Sequence, residues 1–141
     1  MSNLKAYKYR LYPNKKQTEK LQWTLDRVRE LYNASLQERR DAYEMAVRRH
    51  PNFYDEESRK LLAKAHAISY EQQADQLPAI KEQRSEYREI HSQILQDTLR
   101  RVKKAFDGFY RRVKEGKTPG YPALRARITL TRFAIPNQAF P

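Results

Sequence analysis

The chain has no cysteine among its 141 residues. That absence excludes disulfides and thiolate zinc sites and gives no support to an oxidising compartment. Glycine is nearly as scarce, with three residues, which rules out a Gly-rich phosphate loop. No apolar run approaches the roughly 18 residues that a membrane span needs. The start, Met1-Ser2-Asn3-Leu4-Lys5, lacks the apolar stretch of a signal peptide. A soluble, intracellular protein without membrane contact is expected.

Catalytic patterns are missing too. His50, His66 and His91 have no histidine four residues on and no cysteine nearby, so metal-ligand spacing is absent. Each is expected at a surface or a helix end. The acidic run Asp55-Glu56-Glu57 fits a helix N-terminus better than a two-metal site. Nothing supports a Ser/His/Asp triad. No enzymatic activity, metal or cofactor is expected.

What is present is charge of one sign. There are 29 Lys+Arg against 17 Asp+Glu, a formal net charge of +12. Such an excess concentrates polyanions, of which phosphate backbones are the commonest; the plainer alternative is a solvated basic surface. With 39% hydrophobic and 33% charged residues, the chain is polar for a compact fold. That points to an extended helical shape or a large partner surface. The excess is uneven. Lys5, Lys8, Arg10, Lys15 and Lys16 meet no acid, and Lys117, Arg125, Arg127 and Arg132 meet none either. Between them Arg100, Arg101, Lys103, Lys104, Arg111, Arg112, Lys114 and Lys117 face Asp107 and Glu115. Residues 38–89 are mixed.

Periodicity places these groups. Residues 4–12 alternate and stop at Pro13, so they read as one strand with Lys5, Tyr7, Tyr9 and Leu11 on one face. Tyrosines among cations suit stacking on bases and suit packing equally well. Asn14 with Gln17 reads as a capping box. Leu21, Leu25, Val28, Tyr32, Leu36, Tyr43 and Val47 then mark one face of a long helix that ends before Pro51. A second helix is expected from about Asp55 with Leu61, Leu62, Ala65 and Ile68 inward, and a short third one capped by Ser69 and broken at Pro78. Residues 79–89 stay ambiguous. From Ser92, Leu95, Leu99, Val102, Phe106, Phe109 and Val113 define a last helix that stops at Gly116, with Gly108 read as a point of close packing. No internal repeat is visible. A helix with aromatic residues on one face and Arg/Lys elsewhere suits a phosphate backbone, against the alternative of an ordinary amphipathic helix.

Several of these segments resemble one family. Tyr9-Arg10-Leu11-Tyr12-Pro13-Asn14, Gln17, Leu21 and Leu31-Tyr32-Asn33 look like the start of the transposon-encoded TnpB (OrfB) family. His91-Ser92-Gln93-Ile94-Leu95-Gln96-Asp97-Thr98-Leu99-Arg100-Arg101, Ala105-Phe106, Phe109-Tyr110 and Gly116 to Pro122 look like its continuation. The resemblance spans about residues 4–122. It implies an RNA-guided DNA nuclease of insertion sequences, whose N-terminal helix-turn-helix region corresponds to a wedge barrel interrupted by a helical recognition domain. The acidic RuvC-like centre and zinc site of that family lie further downstream than this sequence extends, so binding without cleavage is expected. After Gly120-Tyr121-Pro122, residues 123–132 depart from the family pattern, and Phe133-Ala134-Ile135-Pro136 resembles it again.

The fold the resemblance implies is mainly α: a helical recognition-type bundle (14–117) flanked by a few β-strands of an incomplete wedge-type barrel (1–13 and 118–141). The N-terminal strand would pair with strands in 127–135. Ser92, Gln93, Gln96 and Tyr70 match positions beside the short DNA motif that flanks the target. Lys5, Lys8, Arg10, Arg100, Arg101, Lys103, Lys104, Arg111 and Arg112 would serve nucleic-acid backbone. The partners implied are DNA and a structured guide RNA, together with a full-length family nuclease, in a cytoplasmic, nucleoid-associated setting. The competing expectations are a decayed remnant with non-specific polyanion binding and a protein-interaction regulator of a full-length nuclease.

Overall fold

The computed structural model describes residues 5–49 and 55–126, with side chains of the first helix described as far as Ala46. The elements are α1 (Lys15–Arg49), α2 (Glu56–Ala65), α3 (Tyr70–Asp75), α4 (Leu77–Gln83) and α5 (Ser92–Lys114), with a 3-10 turn at Ser85–Glu89 before α5.

The first helix starts where the capping signal places it. The Gln17 amide donates to Asn14 Oδ1 at 2.9 Å, and the Asn14 amide donates to Gln17 Oε1 at 2.9 Å. Two of the N-terminal amides that a helix cannot satisfy internally are thereby paired. No proline or glycine follows until Pro51, so α1 runs unbroken for 35 residues, a rod of about 50 Å.

Its middle is the floor of the core. Leu31, Tyr32, Ser35 and Leu36 are buried there, and α5 packs on them through Leu95, Thr98, Leu99, Val102 and Phe106. Each of the fully buried leucines contributes about 1.5–3 kcal/mol. The buried Thr98 hydroxyl donates back to the Ile94 carbonyl at 2.8 Å, so its burial strands no polar group. Leu77, Tyr87 and Ile90, from α4 and the turn after it, close one end of this core, with Trp23, Tyr70, Ala74 and Ile80 packed around them.

A polar pin joins α3 to α1. Gln73 is buried, and its amide group donates to the Ser35 carbonyl at 2.9 Å and to Glu38 at 2.8 Å. Its Oε1 accepts from Arg39 Nε at 2.9 Å. Such a side chain can be buried because its donors and its acceptor are all used.

The end of α5 follows from Gly116, which sits at φ 70°. That left-handed residue lets the Lys117 amide reach the Arg112 carbonyl at 3.0 Å and the Gly116 amide reach Val113 at 3.1 Å, a Schellman closure. The chain then returns along α1. Tyr121 lies edge-on to Phe106 and Phe109 with centroids 5.8 and 5.3 Å apart, and Pro122 is buried. At Arg125, the side-chain amide of Asn33 imitates a strand partner. The Arg125 amide donates to Asn33 Oδ1 at 2.8 Å, and Asn33 Nδ2 donates to the Arg125 carbonyl at 3.0 Å.

The structure corrects several expectations. The strand read over residues 4–12 is not formed at 5–12, where the chain has no regular structure and is exposed. The physical reason is the missing partner: no strand exists among the described residues, and an isolated strand leaves its backbone groups unpaired. The partner strands expected in 127–135 lie outside the described residues. Leu61 and Ala65 are exposed instead of inward, and α2 buries no residue. Leu21, Leu25 and Tyr43 keep the phase of the α1 face, but the shorter α5 leaves them uncovered. Val113, at the C-terminal end of α5, is exposed as well. The short helix α3, capped by Ser69, ends at Asp75 just ahead of Pro78, but a further helix follows where none was expected, with Pro78 in the first turn of α4, where a missing N–H costs nothing. A Cβ on Gly108 would meet only the Arg112 guanidinium, at 3.4 Å, so no close packing requires that glycine. His66 and His91 do end helices, as the C-cap of α2 and the N-cap of α5.

Candidate nucleic-acid interface

With its apolar face turned to α1, helix α5 presents its other faces to solvent. Gln93, Arg100, Lys104 and Arg111 recur at steps of seven, four and seven residues, close to whole numbers of turns. They form one outer stripe, with Gln96, Lys103 and Lys114 beside it. Arg101 and Arg112 share the opposite flank. The sequence-predicted cations of this helix are therefore split: Arg100, Lys103, Lys104 and Arg111 come together, and Arg101 and Arg112 do not join them.

Counter-charges sort them further. Lys103 pairs with Asp107 at 2.8 Å and Arg101 with Asp97 at 2.7 Å, both one turn apart. Such solvated pairs contribute at most about 1 kcal/mol, so a phosphate can displace the carboxylate. Lys104, Arg111 and Lys114 have no acidic partner among the described residues. Arg100 has none either; its guanidinium lies over the Tyr70 ring, 5.7 Å from the centroid. Tyr70 is itself half-buried against the core, so it serves as the rigid bed of Arg100.

The remaining predicted positions differ in availability. Ser92 Oγ accepts a hydrogen bond from Lys81 Nζ at 2.7 Å and is occupied. The side-chain amides of Gln93 and Gln96 make no hydrogen bond among the described residues. Gln93 lies two turns N-terminal of Arg100 on the stripe and Gln96 one turn N-terminal of it beside the stripe, where a carboxamide can reach a base edge. Lys5, Lys8 and Arg10 are exposed on the segment ahead of α1, with Arg10 over the Tyr12 ring at 5.2 Å. They extend the positive surface but are not part of the α5 stripe.

Other cations hold the fold. Arg84 reaches Glu86 at 2.7 Å and Glu30 at 3.2 Å, and Arg27 reaches Glu30 at 3.0 Å. The Glu86 carboxyl is held below its ordinary range, first by a hydrogen bond from its own backbone amide and then by Arg84. The Tyr87 phenol, donating to the Arg27 carbonyl at 3.2 Å beneath this cluster, is raised by burial. Burial likewise lowers the Arg39 guanidinium from its usual value. Sequence reasoning missed the Gln73 pin, the Asn33–Arg125 pairing and the arginine–aromatic contacts around Tyr121, because each joins residues more than thirty positions apart. The membership of Lys114 in the stripe was legible from helix register.

Comparison with known proteins places the N-terminal third. Residues 1–47 match the family model of the OrfB helix-turn-helix domain of IS605-type elements, described as a helix-turn-helix domain. This part of the chain is thus similar to the N-terminal helix-turn-helix region of TnpB/OrfB-type proteins, a kind of domain that suggests DNA as a partner. No curated protein and no solved structure matches the chain. Within the matched residues, 15–47 form part of the single helix α1. The helix that packs on it most extensively, α5, lies beyond the match. None of the helices among the described residues is long and apolar enough to cross a membrane.

Proposed function

We propose that this chain binds nucleic acid through the outer stripe of α5, taking DNA and a structured guide RNA without cleaving either. The observation that carries the reading is a row of cations, Arg100, Lys104, Arg111 and Lys114, on a helix whose opposite face is fixed in the core. Fixed cations lose little freedom on meeting phosphates, and each phosphate neutralised releases condensed counterions. Gln93 and Gln96, at the start of the same stripe, supply base-reading groups. The family match supports DNA as ligand, and the resemblance of residues 91–122 to the same family supports RNA alongside it.

The test is the anisotropy of a labelled DNA duplex titrated with the wild type and with Arg100→Ala/Lys104→Ala/Arg111→Ala. The triple variant is expected to bind at least tenfold more weakly. A control variant, Lys20→Ala/Lys60→Ala, removes cations already paired with Glu89 and Glu56 and is expected to stay within about twofold. Equal losses in the two would overturn the stripe. Gln96→Ala is expected to change preference among flanking sequences more than total affinity; a uniform loss argues against base reading. Recovery of a small structured RNA with the purified protein supports the RNA part, and recovery of bulk RNA alone removes it. Incubation of both strands with Mg²⁺ should leave them intact.

A further inference from the structure

Beyond the phosphate stripe, four rings gather where the end of α5 meets the returning chain. Tyr110 lies 5.3 Å from Phe109 and 6.3 Å from Phe106, and Tyr121 contacts the same two phenylalanines. Phe106 is buried and anchors the group. The tyrosines are not buried: Tyr110 is 59% and Tyr121 44% exposed. Large aromatic side chains that packing alone required would be covered, whereas these are fixed on one side and open on the other.

Cations lie close to these rings. The Arg40 guanidinium lies over the Tyr121 ring at 5.7 Å, and Arg125 lies over Tyr32 at 4.5 Å. Lys114 follows Tyr110 by one turn and Lys103 precedes it by seven residues, so both flank it on α5. The acids present are Glu44, 3.6 Å from Arg40, and Asp107, held by Lys103. The cations outnumber them.

We propose that Tyr110 and Tyr121 form a stacking platform for unpaired bases of a DNA strand whose phosphates are held by Arg40, Arg125 and Lys114. Every base presents a π-face, so pre-fixed aromatic rings rimmed by cations bind single strands with little sequence preference. The platform adjoins the α5 stripe, and one strand can pass from one to the other. The proposal rests on the nucleic-acid reading of that stripe and adds a second, single-strand-selective site. The choice of DNA follows the family match of residues 1–47.

The experiment compares a labelled oligothymidylate of about ten nucleotides with a duplex, using the full chain. Tyr110→Leu/Tyr121→Leu keeps apolar cover over Phe106 but removes the π-faces. It is expected to weaken oligothymidylate binding at least ~10-fold while duplex binding stays within about twofold. Tyr110→Phe/Tyr121→Phe should restore the single-strand affinity, because stacking needs the ring and not the hydroxyl. If circular dichroism shows the leucine pair unfolded, Tyr110→Leu alone carries the test, since its side chain is mostly exposed. Unchanged oligothymidylate binding, or equal losses on both ligands, overturns the platform. Tighter binding of oligouridylate with the same tyrosine dependence overturns DNA as the occupant. Loss of duplex binding only in the α5 stripe variant leaves this test intact, so failure of the stripe and failure of the platform are read separately.

Discussion

Helices α5 and α2 carry the same kind of amphipathic pattern and end in different situations. In α5, Leu95, Thr98, Leu99, Val102 and Phe106 are buried against α1, whereas α2 buries none of its residues and leaves Leu61 65% exposed. Spacing decides which residues share a face; whether that face is covered depends on what the rest of the chain can bring to it. Here one region is a rigid mount for charge and the other rests on α1 without fully burying a side chain.

That contrast can be broken or sharpened. The largest effect is expected from Leu99→Ala, which opens a cavity at a fully packed contact. Chemical denaturation should show a loss of about 2–5 kcal/mol. Gln73→Leu comes next, because it leaves the Ser35 carbonyl, Glu38 and Arg39 Nε without their partner. A loss of about 1–3 kcal/mol is expected, and a neutral result would show that the pin is not needed. Asn33→Ala should cost about 1 kcal/mol and accelerate hydrogen exchange at the Arg125 amide, which is bonded to that side chain on α1. Leu61→Ser in α2 is expected to stay within about 0.5 kcal/mol; a loss as large as that of Leu99→Ala would abolish the distinction.

The cap of α2 gives a pH-dependent version of the same comparison. Asp55 accepts from the Ser58 hydroxyl at 2.7 Å and from its amide at 2.9 Å, and these bonds, the hydroxyl first, hold its carboxyl below the ordinary value. A carboxyl depressed in the folded state adds stability above its unfolded pKa and loses it as pH falls through the folded pKa. The helicity of α2, followed by carbon chemical shifts, should therefore fall below the usual carboxylate range while α5 keeps its own. Asp55→Asn should remove this step. Simultaneous loss of both helices would show that α2 is not an independent region.

Much of this was legible in the sequence, for local reasons. The Asn14–Gln17 box, the Asp55 and Ser69 caps, the Gly116 stop and the buried phase of α5 all depend on residues within a turn or two of one another. The strand read at 4–12 failed because alternation describes one ribbon and says nothing of a partner. Residues 79–89 were opaque because α4 and the 3-10 turn are fixed by packing of Leu77, Tyr87 and Ile90 on α1 and α5, not by propensity. Of the interface, helix register places Arg100, Lys104 and Arg111 together, whereas the seat of Arg100 on Tyr70 and the Lys81 hold on Ser92 came from the fold.

The central claim is that the α5 stripe neutralises phosphates. It is tested most directly by the slope of log K for a DNA duplex against log salt concentration, compared between the wild type and Arg100→Ala/Lys104→Ala/Arg111→Ala. Each phosphate contact contributes about −0.9 to that slope. The account predicts a variant slope shallower by roughly two to three. An unchanged slope, whatever the affinity, would contradict it.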